Sequence, residues 1–458
     1  MAPWLTKFDS LRLQRYVTLP MILGGSVSPH PRFWPHLVRR QATGAGIQFL
    51  RGLRKKYGPR AWSWFPVGPT LLVFDREGID EVLQSTTTFA DPWVKHFQLS
   101  TFTPYGVIIS RNPAWCPRRR LNDDVLAFGR SQHPDGDSFI TIVHHEVEKM
   151  LKDRPESLAW NDFRTLAARI SQQVIFGICE YQEDLALHLD RIVAASNWGI
   201  RRWPDFRAFY RSIDNHLNRR PQAHGKGQSL VDSAACWLAK HPGADVEASS
   251  QIAFWLFVMK DAIELHTVRT LALIASAPED VRCRLSSELN CRPLTTATMA
   301  HLHFLEACIA EALRLWTPVP ILLKVAAADT GLKDGDPDGL EAGALGVSIG
   351  KGRQVLVHTG LYHRDPEVFG AAADRFAPEE RVAAKKPNGR SVTSSDPPLY
   401  VFSDHRQSCA GQFLVMFLLK AVLAHLLAQD KFVLADRAVA IDPVPAAIDH
   451  FAIRFWRR

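Results

Sequence analysis

Apolar residues recur along most of this chain with the 3.6-residue period of an amphipathic helix. The pattern predicts helices over 79–83, 137–151, 160–176, 183–194, 229–238, 248–276, 279–289, 298–315 and 411–429. Strand-like runs are few, at 70–74 and 354–361. The sequence therefore predicts a mainly α fold with a minor β portion.

The helix over 248–276 has 29 residues and should be about 44 Å long, enough to cross a whole domain. Its first half is apolar nearly all round, which indicates burial on every side. Polar residues interrupt its centre, namely Lys260, Asp261, Glu264, His266 and Arg269. A central helix with polar groups in mid-span suits a buried reaction chamber.

Composition narrows the class of protein. The 458 residues are 46% apolar and 22% charged, which excludes a disordered or low-complexity chain. The net charge of +8 predicts a basic face, but no zinc-finger spacing or basic–aromatic repeat favours nucleic acid as the partner. Seven scattered cysteines without a Cys-x-x-Cys pair indicate a reducing compartment, so we expect a cytoplasmic protein.

The chain divides into an N-terminal arm, 1–55, and a single large domain, 56–458. The apolar run 17–27 is cut by Pro20, Gly24 and Gly25, so we expect neither a signal peptide nor a transmembrane segment. A packed arm is the favoured interpretation, with a surface-seeking amphipathic segment as the alternative. A polar stretch at 383–398 reads as a surface loop.

Two motifs near the end of the chain could carry chemistry. Glu311 and Arg314 are three residues apart, so both lie on one helix face, although this pair alone is common by chance. Cys409 stands just before the helix that begins near Gly411. Peptide N–H groups at a helix N-terminus favour the thiolate, which makes Cys409 a candidate metal ligand; a buried structural cysteine is the alternative.

Two further motifs lie earlier. Trp115 and Arg119 are four residues apart and could offer an indole N–H and a guanidinium to a carboxylate, or they could simply begin an amphipathic helix. His363 opens the stretch HRDPEVF, and a Phe-x-Pro-Glu element follows at 376–379. Alone, this stretch is an ordinary charged loop.

Together and in this order, the four motifs resemble the cytochrome P450 family of haem-thiolate monooxygenases. The resemblance covers roughly residues 60 to 450, and it rests on the Glu-x-x-Arg helix, the HRDPEVF stretch with its downstream element, and the loop from Phe402 to Gly411 around Cys409. It implies haem b (iron protoporphyrin IX) between the long central helix and the loop that precedes the last long helix. We expect a monomer of this fold.

The resemblance assigns roles to particular residues. Cys409 would be the axial thiolate ligand of the haem iron, held in the loop between Phe402 and Gly411. Glu311 and Arg314 would belong to a buried salt-bridged triad completed by Arg381, or by Arg375. The propionate partners would be Trp115, Arg119 and Lys324.

The sequence departs from the family pattern in two places. In the cysteine loop, His405 and Gln407 stand where the family usually has Gly and Arg or His; His405 would have to enter the left-handed region, and Arg406 or His405 could take over the propionate contact. In the central helix the family has an acid followed by threonine. One register puts Asp261 and Ala262 there and the other puts Glu264 and Leu265, so neither supplies the hydroxyl; water, substrate or Thr267 could replace it.

Three functions are open. The leading one is insertion of one oxygen atom from O2 into a lipophilic small molecule, terpenoid, polyketide or fatty-acid-like, with electrons from an external ferredoxin or flavodoxin-like donor. That donor would dock on a basic face containing some of Arg118, Arg120, Arg406 and Lys420. The second is a peroxide-dependent or non-oxygenating haem-thiolate enzyme, such as one that catalyses rearrangement or dehydration. The third is a non-catalytic haem or ligand-binding protein.

Overall fold

The structure, a computed structural model, describes the chain in eleven segments. These are residues 2–65, 68–84, 88–130, 132–177, 181–218, 229–289, 293–331, 347–384, 395–429, 431–436 and 438–458. The centre of the loop predicted over 383–398 and two of the seven cysteines, Cys179 and Cys291, lie outside them.

Twenty α-helices are found in the described segments. They are α1 (Lys7–Leu13), α2 (Leu19–Gly24), α3 (Trp34–Arg39), α4 (Ala42–Tyr57), α5 (Arg76–Gln84), α6 (Trp93–Leu99), α7 (Trp115–Val125), α8 (Gly136–Asp153), α9 (Trp160–Phe176), α10 (Glu183–Ser196), α11 (Trp203–Leu217), α12 (Leu230–Lys240), α13 (Ala248–Ser276), α14 (Glu279–Leu289), α15 (Thr296–Met299), α16 (His303–Leu315), α17 (Thr359–Tyr362), α18 (Pro366–Phe369), α19 (Pro378–Ala384) and α20 (Gln412–Gln429). A π-helical turn, Gln14–Thr18, joins α1 to α2, and 3₁₀ turns occupy Val107–Ile109, Gly370–Ala372 and His405–Gln407.

Within the described segments, ten short strands form three small sheets. The strands are β1 (Arg60–Phe65), β2 (Gly68–Val73), β3 (Phe89–Ala90), β4 (Ser157–Ala159), β5 (Leu322–Ala326), β6 (Thr330–Gly331), β7 (Ser348–Ile349), β8 (Gln354–Val357), β9 (Phe432–Leu434) and β10 (Arg454–Arg457). The largest sheet has the order β1-β2-β8-β5-β3, and β2 and β8 pair in parallel with Leu71 opposite Val355. The others are β4-β10-β9 and β6-β7. The predicted mainly α class with a minor β portion is confirmed.

Helix α13 is the axis of the core. It packs on α9, α16 and α20, and nearly all of its side chains are buried. Helix α20 is the one described helix long and apolar enough to cross a membrane, but 78% of its apolar window is buried inside the protein, as in the core helix of a globular fold. The predicted helices 160–176, 248–276 and 279–289 match α9, α13 and α14.

Two predicted elements are wrong in detail. The helix predicted over 298–315 is broken at 300–302 into α15 and α16, because Thr295 caps a separate turn by accepting a hydrogen bond from the N–H of Thr298. The strand predicted over 354–361 ends at Val357, since the His358 ring accepts from the N–H of Leu361 and starts α17. Helix α11, which has Pro204 in its first turn, was not predicted.

The N-terminal segment packs on the large sheet. Leu13, Leu50 and Leu53 share a second core cluster with Leu72 of β2 and Leu356 of β8. Helix α4 crosses the position of the expected boundary at residue 55, and the division into an arm and a domain stays a prediction.

Candidate active site

Cys409 lies at the end of a tight loop that leads into α20. Its N–H donates to the carbonyl of Phe402 at 2.9 Å, which closes the loop over the 3₁₀ turn His405–Gln407. Burial raises the pKa of the Cys409 thiol, and the N–H groups of Gly411 and Gln412 and the charge of Arg119 oppose that rise. These donors favour a thiolate at this position. The five described cysteines, Cys409 among them, are free thiols.

His405 adopts the left-handed backbone conformation expected at this position of the cysteine loop, with φ of +52°. Its ring points away from Cys409 to helix α5, where Nε2 is 3.3 Å from Oδ1 of Asp80. Tyr400 donates to the same Asp80 oxygen at 2.6 Å, and Gln407 donates to the carbonyl of Val82 at 2.9 Å. Three contacts therefore fasten the cysteine loop and the residue Tyr400, just before it, to α5. The sequence did not indicate Asp80.

Arg119 lies beside the cysteine loop. Its Nη1 donates to the carbonyl of Ser408 at 2.6 Å, and its Nε is 2.8 Å from Oδ1 of Asp123 on the next turn of α7. The Trp115 ring centre is 6.0 Å from the guanidinium carbon, which is within cation–π range. The structure thus brings Trp115, Arg119 and the backbone next to Cys409 together.

Lys324 on β5 has a different environment. Its Nζ donates to Oδ1 of Asp91 at 2.9 Å, and Lys95 contacts the same carboxylate at 3.1 Å. Burial opposes ionisation of Asp91, but the two lysines lower its pKa to about 2. Burial lowers the pKa of Lys324. The described contacts therefore tie Lys324 to Asp91, which the sequence did not indicate, rather than to Trp115 or Arg119.

The triad residues form one buried cluster. Arg314 donates from Nε and Nη2 to the two carboxylate oxygens of Glu311, both at 2.8 Å, and Nε of Arg381 lies 3.2 Å from Glu311 Oε1. Arg314 also donates to the carbonyls of His363, Ala372, Ala373 and Arg375. The side chain of Arg375 instead pairs with Glu380 at the surface, at 2.7 Å. Of the two arginines considered, Arg381 is therefore the one at Glu311.

Helix α13 has one face that is less enclosed than the rest. Between 249 and 274 its only side chains that are not fully buried are those of Phe254, Phe257, Val258, Asp261 and Ala262. Their spacing of i, i+3, i+4, i+7 and i+8 places them on a single helix face. This face, called the chamber face below, carries Asp261 and Ala262 but not Glu264. Trp255 lies outside this face, and its Nε1 donates to Oδ1 of Asn122 of α7 at 2.7 Å.

Asp261 and Glu264 have separate surroundings. Ser28, in the loop after α2, donates from Oγ to Asp261 Oδ1 at 3.1 Å, and burial raises the pKa of Asp261. Glu264 instead accepts from Lys260 at 2.9 Å, and Lys260 is also 3.0 Å from Asp190 of α10. Burial raises the pKa of Glu264 to about 7. The sequence indicated neither Ser28 nor Asp190.

Thr267 lies further along α13. Its side chain is buried, and its Oγ1 has no hydrogen-bond partner among the described residues. It lies outside the chamber face.

Two residues expected on the basic docking face are buried. Arg118 pairs with Asp245 at 3.3 Å, and Lys420 pairs with Glu306 at 2.8 Å, so neither is available to a partner. Long side chains on a helix can turn inward when an acid lies within reach, and a run of arginines in the sequence does not distinguish the two directions. Arg120 and Arg406 are exposed.

The residues around Cys409 fit a haem. The sulfur lies at a helix N-terminus among peptide N–H donors, Trp115 and Arg119 offer the indole and guanidinium donors that an anionic propionate needs, and α13 presents one partly open, mainly apolar face. No described residue other than Cys409 combines a sulfur ligand with these features.

Comparison with solved structures shows the same fold. The structure of a retinoic acid-bound cyanobacterial CYP120A1 superposes with a TM-score of 0.70 at 15% sequence identity, covering 90% of this chain and 94% of that one. A cytochrome P450, CYP102L1, gives a TM-score of 0.69 at 16% identity with the same coverage.

Comparison with related sequences gives the same family as comparison with solved structures. The chain is 24% identical to 7-deoxyloganic acid hydroxylase of Catharanthus roseus over an alignment of 479 positions, gaps included. This alignment covers 94% of this chain and 85% of that protein. It is 34% identical to cytochrome P450 714C2 of Oryza sativa over 173 residues, which cover 37% of this chain and 30% of that protein. The profile described as cytochrome P450 matches residues 25–228 and 271–440, and this chain therefore belongs to the cytochrome P450 family of haem-dependent monooxygenases.

Proposed function

We propose that this protein inserts one oxygen atom from O2 into a lipophilic small molecule of a specialised pathway, with electrons from an external ferredoxin or flavodoxin-like donor. The observation that carries the proposal is the position of the Cys409 sulfur, at the N-terminus of α20 beside Arg119. Haem b would be held by Cys409 and by Trp115 and Arg119 at the propionates. When bound to a thiolate, haem supplies the activation of O2 that hydroxylation of an unactivated C–H bond requires.

The chain's own residues supply binding and the exclusion of water. Phe254, Phe257 and Val258 give the chamber face an apolar surface, and the Phe257 ring packs edge-on against Phe102 at 5.3 Å. Such a surface favours a hydrophobic substrate and keeps bulk water out. One relative is named 7-deoxyloganic acid hydroxylase, which supports hydroxylation of a small organic molecule.

A proton can be held next to the chamber at Asp261. Burial raises the pKa of Asp261 above its ordinary value, and Ser28 donates from Oγ to Oδ1 at 3.1 Å. Ser28 thus brings an alcohol to the acid in a chain where Ala262 provides none. We propose Asp261 and Ala262, rather than Glu264, as the counterparts of the acid and threonine of the family, because only the first two lie on the chamber face.

Electrons would enter from the side of the cysteine loop. Arg120 and Arg406 are both exposed, and an acidic donor protein would be attracted to them. The proposal predicts that turnover falls as ionic strength rises, since such attraction is screened within about 10 Å at 0.1 M salt.

Two measurements test the function. The reduced, carbon-monoxide-bound protein should show the absorption band of thiolate-ligated haem, and Cys409→Ser should lose it while the matched variant Cys236→Ser, at an exposed position on α12, keeps it. Turnover should then require NAD(P)H and a reductase system. Activity with peroxide alone would instead support the peroxide-dependent enzyme, an alternative that the lack of a hydroxyl at Ala262 favours. Substrate binding without any product would support a non-catalytic haem protein.

A further inference from the structure

Asp261 on the chamber face is contacted by a residue from a distant part of the chain. Ser28 lies in the loop after α2, residues 25–30, which we call the Ser28 loop. Its Oγ donates to Asp261 Oδ1 at 3.1 Å across 233 residues of sequence, and none of the described residues donates to the other oxygen, Oδ2. The hydroxyl therefore engages one oxygen of the carboxyl group and leaves the other available for a proton.

The Ser28 loop is compact. The N–H of His30 donates to the carbonyl of Gly24 at 2.8 Å, which closes the loop. Gly25 has a φ of +96°, and a Cβ at this position would collide with the carbonyl oxygen of Ser28. Only glycine fits there. The backbone of Ser28 is therefore fixed relative to the end of α2.

Asn197 holds the other side of the Ser28 loop. It is the C-cap residue of α10, and its side chain is buried. Its Oδ1 accepts from the N–H of Val27 at 2.8 Å and from the N–H of Ser28 at 3.3 Å, and its Nδ2 donates to the carbonyl of Ser28 at 3.0 Å. Three of the four hydrogen bonds that an asparagine side chain can make are thus spent on two successive residues. The amide pairs with both backbone polar groups of Ser28, as a neighbouring strand would.

Gln98 of α6 joins the same two segments. Its Nε2 donates to the carbonyl of Asn197 and to Oγ of Ser26, each at 2.8 Å. Asn197 is buried, whereas Ser26 is exposed. A hydrogen bond away from water is stronger than one that water can replace, so Asn197 is the tighter constraint on the Ser28 loop.

We propose that Asn197 is a positioning residue for the reaction: it holds the Ser28 hydroxyl on Asp261 and so provides, from outside α13, the alcohol that Ala262 does not. The inference rests on the proposed function, because it takes Asp261 as the acid of the chamber. In the described part of the chain Asn197 makes no hydrogen bond to Asp261, so it acts through Ser28. A purely structural role for Asn197 would need the backbone of Ser28 but not its hydroxyl.

The surroundings of Asp261 make this arrangement measurable. The charged groups near it are Lys260, Glu264 and Arg269 on α13 and Asp190 on α10. Burial raises the pKa of Asp261, and the charge of Lys260 and the hydrogen bond from Ser28 oppose the rise. A hydroxyl that donates to a carboxyl group favours its ionised form. Removing the hydroxyl, directly or by releasing the loop, should therefore raise the pKa of Asp261 further.

The test is an infrared titration of the haem-loaded protein. The carboxylic acid band of Asp261, identified by its loss in Asp261→Asn, is followed against pH. Ser28→Ala should raise the midpoint by about 1 pH unit, and Ser28→Thr, which keeps the hydroxyl, should restore it. Asn197→Ala should raise it too, as should Asn197→Gln, which keeps the amide but displaces it and perturbs folding less. Ser28→Ala/Asn197→Ala should go no further than Ser28→Ala, because the two residues act in series.

Turnover gives a second measurement. The fraction of NAD(P)H that ends in product should fall about threefold or more in Ser28→Ala and in Asn197→Ala, and Ser28→Thr should retain it. The matched control is Ser26→Ala, which removes a hydroxyl from the same loop that bonds Gln98 and not Asp261. This variant should leave both the infrared midpoint and the product fraction unchanged.

Three results would overturn the proposal: an unchanged midpoint in Ser28→Ala, shifts from Ser28→Ala and Asn197→Ala that add in the double variant, or a shift in Ser26→Ala equal to that in Ser28→Ala. The infrared titration needs no turnover. Substrate binding without product would therefore contradict the proposed function, while the midpoints would still decide whether Asn197 holds Ser28 on Asp261.

Discussion

Arg119 donates from Nη1 to the carbonyl of Ser408 at 2.6 Å and so joins helix α7 directly to the residue that precedes Cys409. The same guanidinium also donates from Nε to Asp123, one turn further along α7. A cation that is fixed at two points next to the sulfur can both lower the pKa of Cys409 and offer its remaining donors to a propionate.

This contact predicts the effect of Arg119→Gln. The variant loses the charge and the fork of donors, and since a hydrogen bond to a charged group contributes about 1.5–3 kcal/mol, haem affinity should fall about ten- to a hundredfold. Arg119→Lys should retain part of the affinity because it keeps the charge but not the planar fork. Haem transfer to an excess of apomyoglobin measures the loss. The control is Arg120→Gln at the neighbouring exposed residue. An equal loss of haem affinity in this variant would contradict the assignment of Arg119 as a propionate partner.

Glu311→Ala should destabilise the protein by about 3–5 kcal/mol, because it leaves the fully buried Arg314 and the adjoining Arg381 without their carboxylate. The free energy of unfolding from denaturant titration measures this, together with the haem content of the purified protein. Arg381→Ala should also be destabilising. Arg375→Ala, which removes only a surface pair with Glu380, should change stability by less than about 1 kcal/mol; a larger loss there than in Arg381→Ala would reject Arg381 as the third member.

The part of this arrangement that sequence alone predicts is the part built from near neighbours. Glu311 and Arg314 meet because they are three residues apart on a helix, and the long apolar period of 248–276 makes α13 the core helix. Polar partners that are distant in sequence could not be predicted in this way. Ser28 reaches Asp261, and Asp91 reaches Lys324, across 233 residues of chain in each case, so no local spacing records either contact.

The sequence also could not show which side chains of a helix point into the protein. Arg118, Arg119 and Arg120 are consecutive and chemically identical, yet they are respectively buried on Asp245, bound to the cysteine loop and exposed to solvent. Successive side chains on an α-helix are about 100° apart around the helix axis. Only the elements that pack against α7 decide which of these directions is inward. The family resemblance selected Arg119, and it gave no information about the other two.

The buried Glu264 predicts a pH dependence of stability. Its pKa is raised from 4.5 in the unfolded chain to about 7 in the folded protein, so between these values the folded state binds more protons than the unfolded state. The free energy of unfolding should therefore decrease as pH rises from 4.5 towards 7, by up to about 1.4 kcal/mol per pH unit from this group. Denaturant titrations at several pH values measure the slope. Glu264→Gln should flatten it, and an unchanged slope would show that the carboxyl is already ionised beside Lys260.

The last prediction concerns the missing alcohol on the chamber face. Ala262→Thr adds a hydroxyl one residue after Asp261, on a side of α13 that is only half-buried. If Asp261 and Ala262 are the functional register, the new hydroxyl should raise the fraction of NAD(P)H that ends in hydroxylated product several-fold, because it can orient water for proton delivery. Ala262→Val has the same shape without the hydroxyl and should give no such gain. The ratio of product formed to NAD(P)H consumed is the measurement, and an equal rise in the valine variant would mean that packing, and not proton delivery, limits coupling at this position.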